Sequence, residues 1–179
     1  MRLSGVINPS QMTAPRRGSL QGLPNGIAGA TTTLRIMRDL VRAAIRDPAQ
    51  GIREAALNLI QSTAYVQQIR DIQTWVQDNV RYVRDPIDDS GGVELVQTPQ
   101  VTLQLLAGDC DDQATLVAAL LSVIGHPCRF IAMWFSDPND GHVLCQTLIG
   151  RTWVAVETIK PEALGYMPPG ITSHYILKV

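Results

Sequence analysis

The sequence predicts an α+β fold in which N-terminal helices pack on an antiparallel sheet. Two observations carry that expectation. Apolar residues recur with the 3.6-residue period of helices from Thr32 to about Val80, and from Phe130 onward they fall into short runs of strand type. Helices first and strands afterwards is the chain order of an α+β domain, not of alternating strand–helix–strand units. A third observation bounds the size: 179 residues, 45% hydrophobic and 17% charged, suit one domain or one domain with an arm.

Residues 1–30 differ from the rest. They hold Pro9, Pro15, Pro24, Gly5, Gly18, Gly22, Gly26 and Gly29 with no sustained period, and read as an extended arm ahead of a domain over 31–179. Leu34, Met37, Leu40, Val41, Ala44 and Ile45 then follow helical spacing. Asp47-Pro48 ends that helix and is expected to cap the next, whose apolar face is Ile52, Ala55, Ala56, Leu59 and Ile60. A third helix carries Val66, Ile69, Ile72, Val76 and Val80 on one side. Arg81-Tyr82-Val83 reads as a short extended piece, and Asp85-Pro86 with Asp88 to Gly92 as a loop. Thr98-Pro99 starts a short helix running to about Leu106. Strands are expected at Phe130–Phe135, Val143–Ile149, Thr152–Val156 and His174–Val179, the middle two forming a hairpin at Gly150-Arg151.

Net charge is −1 and the isoelectric point is about 6.3, which argues against nucleic acid or an anionic membrane as an obligatory partner. Arg35, Arg38, Arg42 and Arg46 form one helical stripe, read first as a solvated face and otherwise as a docking face for something acidic. The three cysteines, Cys110, Cys128 and Cys145, cannot all pair within the chain, and their scarcity fits a reducing compartment. The first residues lack the apolar core of a signal peptide, and no run is long enough to span a bilayer, so a cytoplasmic location is expected.

The stretch Gly108-Asp109-Cys110-Asp111-Asp112-Gln113-Ala114 is the most informative. It opens an apolar helix through Leu116, Ala119, Leu120, Val123 and Ile124 that Gly125 and Pro127 terminate. Asp109 is placed as N-cap and Asp112 as its capping-box partner, so Cys110 falls in the first turn. Unpaired N–H groups there favour a thiolate, whereas Asp109, Asp111 and Asp112 oppose one, so activation calls for a histidine. His126 falls in the helix-stop turn and His174 near the end of the chain. His142 opens a strand, and Glu157 ends the next. A hairpin closed at Gly150 brings the two to its open end, where a carboxylate can orient and charge-stabilise an imidazole. Cys128 and Cys145 read as packing residues. A zinc site at His126-x-Cys128 or His142-x-x-Cys145 matches no common ligand spacing, so neither metal nor other cofactor is expected.

These residues, in this order, resemble the transglutaminase-like superfamily. The resemblance rests on a G-x-C-x-D-x-A helix start (Gly108–Ala114), the run from Leu121 to Phe130, the strand-opening His142 and Trp153-Val154-Ala155-Val156-Glu157, and it covers roughly residues 65–160. It implies a papain-like fold with Cys110 as nucleophile, His142 as base and acid, and Glu157 as orienting carboxylate where the family usually has Asp. It also implies an oxyanion donor upstream of the nucleophile, for which Tyr82 and Gln104 are candidates. The Gly29–Val41 helix and the Val80–Pro86 segment, ahead of the cysteine block, further resemble a subset encoded by tailed bacteriophages. Two functions are therefore expected as alternatives. One is a cysteine peptidase, amidase or acyl transferase working through a thioester on a protein or peptide. The other is a phage virion or assembly protein that contacts other virion proteins through residues 1–30 and the Arg stripe.

Overall fold

The helical stretch folds as its period requires. The structure, a computed structural model, describes residues 27–85, 87–88, 91–92, 95–137 and 140–179. Helix α1 runs Ile27–Arg46, five residues earlier than the apolar period signals, and buries Leu34, Met37, Val41 and Ala44. Most of the proposed arm, residues 1–26, lies outside the described residues. The Arg stripe stays at the surface, with Arg38 paired to its neighbour Asp39.

Asp47 caps a turn instead of the second helix. Its carboxylate accepts from the Ala49 N–H, but Pro48–Gln50 form a single 3₁₀ turn that left-handed Gly51 ends. Helix α2 then starts at Ile52 and runs to Leu59, burying four of the five predicted residues, Ile52, Ala55, Ala56 and Leu59, while Ile60 follows it as a half-buried C-cap. Helix α3, Tyr65–Asn79, buries Ile69, Ile72, Trp75 and Val76, and also Gln73. The predicted extended piece is strand β1, Arg81–Tyr82. The loop after it contains a small antiparallel pair, β2 (Ile87–Asp88) and β3 (Gly91–Gly92). Thr98 caps helix α4, Pro99–Leu105, by accepting from the Val101 N–H.

Leu106 then takes a left-handed backbone, φ 50°, a strained choice for a branched residue. That turn feeds strand β4, Ala107–Gly108, which lies parallel to β1 with Tyr82 opposite Gly108. Helix α5, Cys110–Ser122, follows at once. It is buried on all sides from Asp111 to Leu121, because α1 to α4 cover it on one side and the sheet covers it on the other. Its fully buried leucines, Leu116, Leu120 and Leu121, each contribute about 1.5–3 kcal/mol through burial. Gly125, φ 95°, and a bond from the His126 N–H to the Leu121 carbonyl close the helix as its sequence predicts.

The main sheet has strands β5 (Cys128–Trp134), β6 (Gly141–Ile149), β7 (Thr152–Val156) and β8 (Ser173–Lys178) in the order β7-β6-β5-β8, all antiparallel. Ile149 pairs with Thr152, so the hairpin turns at Gly150-Arg151 as expected. Alternate residues face two cores. Phe130, Ala132 and Cys145 join the helices, while Ile131, Met133, Leu144 and Ala155 pack under Met167 and Ile171. Among the described residues no helix is long and apolar enough to cross a membrane.

Candidate active site

Cys110 is placed by a capping box. The Asp109 carboxylate accepts from the Asp112 N–H at 3.5 Å, and the Asp112 carboxylate accepts from the Asp109 N–H at 3.3 Å. This fixes the first turn of α5 and leaves Cys110 partly buried at its start. Asp112 is further held by the backbone N–H and side-chain amide of Gln97, both at 2.6 Å. Burial is the main cause that lifts the Asp112 carboxyl to about 7, and the nearby Asp109 adds to it. Burial, with the neighbouring Asp109, also pushes Asp111 well above the ordinary carboxylate range, and its Oδ2 finds no hydrogen-bond partner among the described residues. Asp109, Cys110 and Asp111 each hold one possible ligand atom within 4.8 Å of the others, the grouping closest to a metal-binding set among the described residues. His126 with Cys128 and His142 with Cys145 form no such set among the described residues.

His142 and Glu157 meet. The His142 Nε2 lies 2.7 Å from Glu157 Oε2. Carried one residue past β7, the strand register sets Glu157 opposite Leu144, so the pair is diagonal across the ladder and not directly opposed. Glu157 is 1% exposed, and its second oxygen accepts from the N–H groups of Ile159 (2.7 Å) and Lys160 (3.4 Å). Burial raises this carboxyl, but the hydrogen bond and charge of His142 and the two N–H groups outweigh it, and the net shift is downward. An ionised Glu157 accepts a hydrogen bond from Nε2–H, which leaves Nδ1 as the basic nitrogen. The additional methylene of Glu relative to Asp is absorbed here, since it lets one carboxylate reach both the imidazole and the following turn.

That turn is clamped from α3. The Gln73 amide donates to the Glu157 carbonyl at 2.9 Å and to that of Glu162 at 3.2 Å. The Gln77 amide lies within 3.0 Å of the carbonyls of Glu157, Lys160 and Glu162. Sequence reading missed both. A polar residue on the apolar side of α3, Gln73 beside Ile72 and Val76, was the available signal.

Cys110, His142 and Glu157 line one cleft of about 540 Å³ together with Tyr82, Arg84, Phe135, Asp140, Gly141, Ile159, Lys160, Pro168 and Pro169. The β1–β4 ladder brings Tyr82 here: Arg81 and Val83 donate their N–H groups to the Leu106 and Gly108 carbonyls. The Tyr82 hydroxyl titrates above its ordinary value. Burial is the first cause, the negative charge of Cys110 and Asp109 adds to it, and Arg84 opposes it. Gln104 is exposed on α4 and is not part of this lining. His126 is buried elsewhere, bonded to Gln68 at 2.8 Å with its ring 4.1 Å from that of Tyr65, and His174 is exposed on β8. Cys128 and Cys145 are buried packing residues.

The chain belongs to the transglutaminase-like superfamily, whose sequence profile matches residues 54–158. No functionally curated protein matches it in sequence. Among solved structures it is similar to a candidate cysteine protease from Cytophaga hutchinsonii, with TM-score 0.50 and 16% identity over 81% of this chain and 48% of that one. It is similar to a candidate protease from Parabacteroides distasonis, with TM-score 0.51 and 14% identity over 69% of this chain and 26% of that one. It is also similar to Legionella pneumophila LapG, with TM-score 0.52 and 14% identity over 75% and 77%. The chain thus spans about half the length of the first and a quarter of the second. What these likenesses share with it is the fold, mixed helix and antiparallel sheet of transglutaminase-like, papain-like type.

Proposed function

We propose that this protein is a cysteine enzyme that cleaves or transfers the acyl group of a peptide or side-chain amide. The observation that carries the reading is the 2.7 Å bond between His142 and a buried, ionised Glu157 in the same cleft as a cysteine at a helix N-terminus. In the reaction, Nδ1 of His142 takes the Cys110 proton and the thiolate attacks the carbonyl carbon, forming the C–S bond. The Cys110 N–H and the Tyr82 hydroxyl are the donors for the resulting oxyanion. Collapse of the intermediate breaks the C–N bond, and the imidazolium gives its proton to the departing amine. Water or an amine, deprotonated by His142, then attacks the thioester and restores the thiol. The ionised Glu157 keeps His142 in the required tautomer and stabilises its charged form.

The test follows alkylation of all three cysteines by iodoacetamide against pH, read by mass spectrometry, in the wild type and in His142→Ala. Fast labelling of Cys110 well below the ordinary thiol pKa of about 8.5, lost without His142, is the expected result. A Cys110 that titrates as an ordinary thiol and ignores His142 sinks the reading.

A further inference from the structure

The cleft carries two cations that the acyl-transfer steps do not use. Arg84 and Lys160 are exposed side chains lining the same cavity as Cys110 and His142. Their backbones are tied to opposite halves of the site. Val83, next to Arg84, donates its N–H to the Gly108 carbonyl at 3.1 Å, two residues before Cys110. Lys160 directs its own N–H at Glu157 and is held through its carbonyl by Gln77 at 2.9 Å. Among the described residues the side-chain ion pairs are Arg38–Asp39 and His142–Glu157, and neither involves these cations.

We propose that Arg84 and Lys160 form a carboxylate-reading subsite, so that the substrate is a peptide with an acidic residue beside the bond Cys110 attacks. The proposal rests on the reading of the cleft given above. Two carboxylates line the cavity among the described residues. Glu157 is consumed by His142 and two backbone N–H groups, which leaves Asp140, just ahead of the His142 strand, against two cations. Arg84 lies beside the Tyr82 hydroxyl, so its planar guanidinium, whose remaining N–H donors suit a carboxylate, sits next to the proposed oxyanion donor. Lys160, whose backbone is tied to Glu157, supplies a second point charge to the same cleft. A basic side chain in the same place would meet two like charges, so the arrangement selects against it as well as for the acid.

The experiment uses the full chain and peptidyl vinyl sulfones that differ only in one residue, Glu, Gln or Lys, placed one or two positions from the electrophile. The readout is the rate of Cys110 labelling. Glu is expected to label at least ~10-fold faster than Gln in one of the two positions, with Lys slowest. The preference should shrink at high salt and reverse in Arg84→Glu or Lys160→Glu. Equal rates for all three probes at both positions, a preference for Lys, or a Glu preference that survives both charge reversals overturns the proposal. The wild-type probe order and its salt dependence stand as a test even if a variant does not fold. Failure of the enzyme reading looks different: no probe labels Cys110, and its iodoacetamide profile is that of an ordinary thiol.

Discussion

The two halves of the site are built on opposite electrostatic terms. At the start of α5, three aspartates crowd one helix end, and the buried Asp111 and Asp112 are pushed toward their neutral forms. At the mouth of the β6–β7 hairpin, one buried carboxylate is surrounded by donors and held ionised. The turn that carries Cys110 is thus crowded by like charge, while the carboxylate that holds His142 is saturated with donors. Local backbone geometry positions Cys110, and a charge network positions His142. Substitutions should therefore fail in different ways on the two sides.

The largest effect is expected on the saturated side. In the proposed reaction His142→Ala removes the group that takes and returns the proton, and amide turnover should fall by roughly 10²–10⁴-fold with the fold intact. Peptide cleavage or amine incorporation followed by mass spectrometry, with Cys110→Ala as the zero, measures it. A turnover unchanged by His142→Ala would remove the histidine from the reaction. Glu157→Gln is the finer cut. The carboxamide can still accept from Nε2 but carries no charge, so the imidazolium loses stabilisation. Labelling of Cys110 at pH 6 should fall by about tenfold, the equivalent of one pKa unit, while labelling at pH 9 changes little. An unchanged profile would mean that the charge of Glu157 is idle.

On the crowded side the expected failure is structural. A Cβ on Gly108 would sit 2.6 Å from the Asp112 Cβ and 2.7 Å from its Oδ2. Nothing about the Gly108 backbone demands glycine; the lack of space does. Gly108→Ala should cost about 1–3 kcal/mol in chemical denaturation and loosen the first turn of α5. A midpoint equal to the wild type would show that the capping box can shift without cost.

The same contrast explains what could be read in advance. The capping box, the apolar run of α5 and its Gly125 stop are set within a few residues of one another, so the sequence alone placed Cys110 on the correct turn. The Gly150-Arg151 hairpin was legible for the same reason, and it carried His142 and Glu157 to one end. The other cleft walls are set by distant contacts. β1 and β4 are two residues each, too short for any period, and their parallel pairing is visible only in three dimensions. Residues 157–172 have no regular pattern, yet they supply Ile159, Lys160, Pro168 and Pro169 to the cleft. The polar Gln73 and Gln77 that hold that segment look like interruptions of a helix face until their carbonyl partners are known.

The smallest effect separates the two halves by the sign of their pH dependence. Glu157 is depressed in the fold, so its contribution to stability is present above the unfolded value, about 4.3, and is lost as pH falls through the folded value. Asp112 runs the other way. Its folded pKa of about 7 lies above an unfolded value near 3.9, so between these limits the native state holds a proton that the unfolded chain has released. Stability must then decline as pH rises from about 4 to 7, and Asp111 adds a slope of the same sign. Asp112→Asn removes one proton from that balance while keeping an acceptor for the Gln97 N–H. Denaturation midpoints of the wild type and Asp112→Asn at pH 5 and pH 7 should show a shallower decline in the variant, shallower and not flat because Asp111 remains. A variant as steep as the wild type would mean that Asp112 is ionised throughout, and that the donors from Gln97 and Asp109 outweigh its burial.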